Sequence, residues 1–108
     1  MKVVKAAAVQ ISPVLYSRDG TVEKLRKIHE LGEHGVQFAT FPETVVPYYP
    51  YFAFIQTPYQ LITGREHLKL LEQAVTVATD AISDAGRHGR VVVSIGINER
   101  DQGTLYNT

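Results

Sequence analysis

The 108-residue chain has no cysteine. It can build neither a disulfide scaffold nor a cysteine-ligated zinc site, and a thiol nucleophile, if the chemistry needs one, is not on this chain. Its 11 basic and 11 acidic side chains cancel to a formal net charge of zero. That leaves no electrostatic footprint for nucleic acid or an anionic membrane. No apolar run approaches the ~20 residues that span a bilayer. Met1–Val9 faintly imitates a secretory signal, but Lys5 interrupts it and Gln10, Ser12 and Pro13 close it, which fits a buried strand better. A soluble, cytoplasmic protein is the expectation.

Several chemical motifs are missing as well. There is no phosphate-binding loop and no G-x-G-x-x-G fingerprint. A nucleophile elbow around Ser94 fails because Val92 stands where glycine is required. His29 and His34 sit five residues apart, roughly 140° around a helix of 3.6 residues per turn, so they cannot share a metal on one face. There are no internal repeats and no low-complexity tracts.

The composition that remains is globular: 44% hydrophobic and 20% charged. A chain of this length buries roughly 65% of its unfolded surface, enough for one small core. Val3–Ile11 reads as a strand buried on both faces, ending at Ser12-Pro13. Ser17-Arg18-Asp19-Gly20 reads as a turn, and Thr21 as the cap of a helix with Glu23 in its first turn. Val22, Leu25, Ile28 and Leu31 give that helix its apolar stripe, and Gly35 stops it. Val36–Phe41 is a second buried strand, ended by Pro42.

Pro47–Pro58 carries three prolines among many aromatics and reads as a structured loop. Leu68, Leu71, Val75, Ala78, Ile82 and Ala85 recur at helical spacing, with Gly86 and Gly89 flanking the helix end. Val91–Ile97 is the third buried strand. Asp101-Gln102-Gly103 is a turn into a further strand from Thr104. The β-α-β-loop-α-β-β order is an α/β pattern. Ending at Thr108, inside an apparent strand, suggests a piece of a longer protein.

Glu43 is the strongest candidate for chemistry. It lies just past a buried strand, where α/β folds place their sites, with apolar residues behind it and aromatics ahead. Desolvation there would raise its pKa and suit it to proton transfer; on position alone, an exposed loop glutamate is the commoner case. The aromatic loop from Tyr48 to Phe54, with Tyr49, Tyr51 and Phe52 as its substrate-contacting candidates, can wall a pocket for a small apolar molecule. Those rings can instead pin the loop to the core. Asn98-Glu99-Arg100-Asp101 can face the same rim as Glu43, or form a solvated turn.

Taken in order, Ala7-Ala8-Val9-Gln10, Phe41-Pro42-Glu43, Pro47-Tyr48-Tyr49-Pro50-Tyr51 and Asn98-Glu99-Arg100-Asp101 leading to Gly103-Thr104-Leu105-Tyr106-Asn107-Thr108 resemble the N-terminal third of a nitrilase, in the carbon–nitrogen hydrolase superfamily. The resemblance runs over essentially the whole chain. Phe-Pro-Glu marks only the superfamily; the Pro-Tyr-Tyr-Pro-Tyr and Leu-Tyr-Asn segments favour the nitrilase branch. The resemblance implies a four-layer α-β-β-α sandwich, incomplete in this chain, whose residues 1–108 are one segment of a single domain. It implies a Glu-Lys-Cys set with a second glutamate, of which only Glu43 maps here.

Glu43 would then be the general base of a reaction that takes a nitrile to acid and ammonia through a cysteine thioimidate and thioester, with neither metal nor organic cofactor. The implied partners are the rest of the enzyme, a small nitrile and further copies in a homo-oligomer. An amidase or N-carbamoyl hydrolase of the same superfamily, and a non-catalytic α/β binding module, remain the alternatives. One departure from the family pattern is local: Val75–Asp80 lacks the usual Pro/Gly break and looks a few residues short.

Overall fold

The computed structural model describes residues 1–47 and 79–108, together with Glu66 and Lys69. Three short parallel strands form the centre: β1 (Ala6–Ala8), β2 (Phe38–Thr40) and β3 (Val92–Ser94), in that spatial order. Ala6, Phe38 and Val92 align across the sheet, followed by Ala7, Ala39 and Val93, then Ala8, Thr40 and Ser94. A pleat alternates its faces, so Ala7, Ala39 and Val93 share one face, on which Ala39 is fully buried. The helices α1 (Arg18–Leu25), α2 (Ile28–Glu33) and α3 (Thr79–Gly89) pack together against the core.

Among the described residues, helices cover one face of this sheet. Phe38 is 38% and Val92 66% exposed, and Ala6, Ala8, Thr40 and Ser94 are exposed with them. The expectation of strands buried on both faces is therefore corrected for this chain. The apolar runs are two-sided in composition, but these helices cover one side. What is established is a small α/β unit with a parallel sheet.

α1 begins earlier than expected. Ser17, not Thr21, is its cap: the Ser17 backbone is extended and its Oγ accepts from the Gly20 N–H at 3.1 Å. Thr21 is fully buried inside the helix. Its Oγ1 accepts from the Val14 N–H at 2.9 Å and donates to the Ser17 carbonyl at 2.8 Å, which ties the incoming loop to the first turn. The apolar stripe holds, with Leu25 and Ile28 buried, each worth ~1.5–3 kcal/mol of burial. The helix itself breaks between them, however. At Lys27 the ladder tightens from i−4 to i−3, the Lys27 N–H donating to the Lys24 carbonyl at 3.3 Å.

Gly35 does end α2. Its φ of 75° sets a left-handed turn, and the Val36 N–H returns to the Leu31 carbonyl at 3.0 Å. α3 closes the same way with Arg90 at φ 56° and the Val91 N–H on the Gly86 carbonyl at 2.9 Å. Gly86 is accordingly interior to α3 and buried, not a flank. α2 and α3 meet backbone to backbone: a Cβ on Gly32 would stand 1.9 Å from the Gly89 carbonyl oxygen. Beside that contact His29 meets His88 edge-on, with ring centroids 5.9 Å apart, instead of facing His34.

Past the sheet the chain forms an antiparallel hairpin of β4 (Asn98–Asp101) and β5 (Thr104–Asn107). Gln102 and Gly103 both have positive φ, 45° and 87°, the two-residue turn whose twist suits a hairpin. Ile97 and Thr108 extend the hairpin by exchanging backbone hydrogen bonds of 2.8 and 2.9 Å. Among the described residues, no helix is long and apolar enough to cross a membrane.

Candidate active site

β2 runs from Phe38 to Thr40, and the ladder continues one step as the Phe41 N–H donates to the Ser94 carbonyl at 2.9 Å. Pro42 has no N–H to give, so pairing stops there. Glu43 follows, at the C-terminal edge of the parallel sheet, where open α/β sheets carry their ligands. Its side chain is exposed. The four residues after it are the reverse: Thr44, Val45, Val46 and Pro47 are all buried. Glu43 is thus an exposed carboxylate on a firmly seated backbone.

Three contacts hold that seat. Val46 forms a parallel bridge with Ile97, and its carbonyl accepts from the Asn98 N–H at 2.8 Å. Gly96 lies against the Glu43–Thr44 peptide so closely that a Cβ there would stand 2.6 Å from Thr44 N and 2.8 Å from Glu43 Cα. Here glycine is required by space. Thr44 itself has φ 44°, an outlier for a β-branched residue. Its hydroxyl is buried without a hydrogen-bond partner among the described residues. Such strain costs on the order of 1–3 kcal/mol and gathers at functional sites.

The hairpin delivers a side chain to Glu43. Asn107 pairs with Asn98 across the β4–β5 ladder, and its Nδ2 donates to Glu43 Oε1 over 64 residues of sequence. A carboxylate offers only acceptors, so the amide must present its N–H side. A shallow depression of about 410 Å³, lined by Ala8, Val9, Gln10, Thr40, Phe41 and Pro42, opens at the same end of β1 and β2.

Of the residues read from the sequence as a site, Glu43 is placed at the sheet edge. Tyr49, Tyr51 and Phe52 lie outside the described residues. The Asn98–Asp101 run does reach this end, but through backbone: Asn98 anchors to Val46, while Glu99 Oε2 accepts from the Thr108 hydroxyl at 3.0 Å. Asn107, Gly96 and Thr44 are the site residues that sequence reasoning did not single out. Asn107 was legible in part, since pairing counted from the Gln102-Gly103 turn sets it opposite Asn98.

Comparison with known proteins gives the family. Residues 5–108 match the carbon-nitrogen hydrolase family model. The chain is 73% identical, over its whole length, to Nitrilase 3 of an unidentified prokaryote, and covers 34% of that protein. It is 47% identical over 99% of its length to a nitrilase of Paraburkholderia phymatum, covering 32% of it. It is 33% identical over 96% of its length to an aliphatic nitrilase of Rhodococcus rhodochrous, covering 29%. The first two alignments run over 112 and 111 positions, so those relatives carry a few residues more across the matched stretch. The chain spans about a third of the length of these relatives. With a family model matched over nearly all of its residues and a carboxylate fixed at the edge of its parallel sheet, the chain belongs to the carbon–nitrogen hydrolase family and corresponds to about the first third of its nitrilase members.

Proposed function

We propose that this chain is the base-bearing N-terminal segment of a nitrilase, part of a single carbon–nitrogen hydrolase domain of α-β-β-α architecture. The observation that carries this reading is Glu43, solvent-facing on a buried backbone at the C-terminal edge of the sheet, in a chain whose most similar named relatives above are nitrilases. The open sheet face, with Phe38 and Val92 exposed, supports a further layer supplied by the rest of the protein.

In the proposed reaction Glu43 takes the proton of a cysteine thiol carried outside this chain. The thiolate adds to the nitrile carbon, and the nitrogen takes that proton from Glu43, which gives a thioimidate and leaves Glu43 ionised again. Glu43 then deprotonates a water that adds to that carbon. The C–N bond breaks, ammonia leaves and a thioester remains. A second water, activated in the same way, releases the carboxylic acid and returns the thiol. A lysine, also outside this chain, stabilises the developing negative charge. Tyr49, Tyr51 and Phe52 are the proposed walls for the substrate. The scheme uses no metal and no organic cofactor.

Two outcomes test the reading. Residues 1–108 alone should release no ammonia from a nitrile, because they hold no cysteine, while the complete enzyme should. Turnover by residues 1–108 alone would remove the cysteine mechanism. The complete enzyme is further expected to be a homo-oligomer that pairs through its outer helices, and sedimentation as a strict monomer would overturn that part.

A further inference from the structure

We propose that Asn107 is a positioning residue for Glu43, fixing which carboxylate oxygen does the chemistry; the inference rests on Glu43 being the base. Asn107 Nδ2 donates to Glu43 Oε1, and this occupies one of the two oxygens. Oε2 is the oxygen assigned to take the proton. The amide does not arrive there by side-chain flexibility alone. Its backbone belongs to a hairpin with fixed register, Asn98 to Asn107 and Asp101 to Thr104.

That hairpin is fastened to the Glu43 loop at several points. The Asn98 N–H holds the Val46 carbonyl at 2.8 Å, and Ile97 and Thr108 exchange two further backbone bonds. Val46 bridges to Ile97, and Gly96 abuts the Glu43 backbone. The backbones that carry the donor and the carboxylate are therefore tied to each other.

The consequence is one of alignment. With Oε1 held by the amide, the plane of the carboxylate is set and Oε2 is the oxygen presented. Without the donor the carboxylate turns freely about its last torsion, and the base is present but misaligned, a loss that falls on the chemical step.

The test uses the complete enzyme with Asn107→Leu, which keeps the size and removes the donor, and Asn107→Asp, which adds a second negative charge. Ammonia release from a nitrile is followed against nitrile concentration, with a thermal melt of each variant. Asn107 is exposed, so both variants should fold. Asn107→Leu should lower kcat roughly tenfold, the scale of one charge-assisted hydrogen bond. KM should hold within about twofold, because the contact aligns the base and does not hold the substrate. Asn107→Asp should lower kcat further, because a like charge pushes the carboxylate away where the amide held it. Unchanged kinetics in folded Asn107→Leu would overturn the proposal, and so would a rise in KM with kcat unmoved. Both outcomes leave Glu43 as the base provided that Glu43→Gln is inactive. If Glu43→Gln remains active, it is the reading beneath that fails.

Discussion

Glu43→Gln in the complete enzyme is expected to lower kcat by roughly 10²–10⁴, the usual worth of a positioned acid or base. The substitution isolates the proton. Glutamine keeps the size of the side chain, and its amide oxygen can still accept from Asn107 Nδ2, so the hairpin contact survives. The side chain is exposed, which keeps the expected stability change within about 0.5 kcal/mol. A melt superimposed on wild type with activity nearly gone is the expected pair of results. Glu43→Asp should also be poor, because one methylene fewer takes the carboxylate out of reach of both its partner and the thiol. A folded Glu43→Gln enzyme with near wild-type turnover would remove Glu43 from the mechanism and leave its loop a structural element.

Gly96→Ala is expected to damage the same site from behind. The new methyl would stand 2.6 Å from Thr44 N, 2.8 Å from Glu43 Cα and 3.1 Å from Glu43 C, and all three are main-chain atoms. No side chain can swing away to make room. The Glu43–Thr44 backbone is tethered by the buried Val45 and Val46 that follow it and by the bridge from Val46 to Ile97. Relief has to come from a main-chain shift on the order of 1 Å, and a misplacement of that size can cost about 10²-fold in rate. Overpacking should also cost ~1–3 kcal/mol of stability. The two variants thus separate: Glu43→Gln loses rate alone, while Gly96→Ala loses rate and stability together. A Gly96→Ala enzyme with wild-type melt and rate would mean that the two backbones are not in contact in the assembled protein.

Much of the fold was legible because three apolar runs of strand length alternate with helical spacing. Their limits were less so. Val3–Ile11 and Val36–Phe41 read as long strands, yet β1 and β2 pair over three residues each. A strand extends only where its neighbour offers a ladder, and composition does not report that. Burial on both faces was read from composition, and among the described residues one face is exposed, with Phe38 and Val92 on it. The helix break at Arg26-Lys27 has no glycine or proline to announce it. Gly86 and Gly89 were read as flanking the helix end; Gly89 is the last residue of α3, while Gly86 lies inside it. Both sites are also tight: the Val91 carbonyl oxygen lies 3.1 Å from where a Gly86 Cβ would be, and the α2 backbone 2.7 Å from where a Gly89 Cβ would be.

The site divides along the same line. Glu43 was visible because position after a buried strand is a local property of sequence. Gly96 was not, and Asn107 only in its pairing with Asn98, because their roles arise from contacts across roughly 50 to 65 residues of chain, beside the Val46–Ile97 bridge. Thr44 carries no sequence signal of strain: threonine is ordinary in a loop, and only its φ of 44° makes it unusual.

The most direct measurement is product analysis with the complete enzyme and a simple nitrile. The account predicts that nitrile is consumed with carboxylate and ammonia formed one for one, and that both products vanish together in Glu43→Gln. Release of the amide without ammonia would mean that the reaction stops at hydration, and no nitrile turnover by the folded wild-type enzyme would contradict the assignment outright.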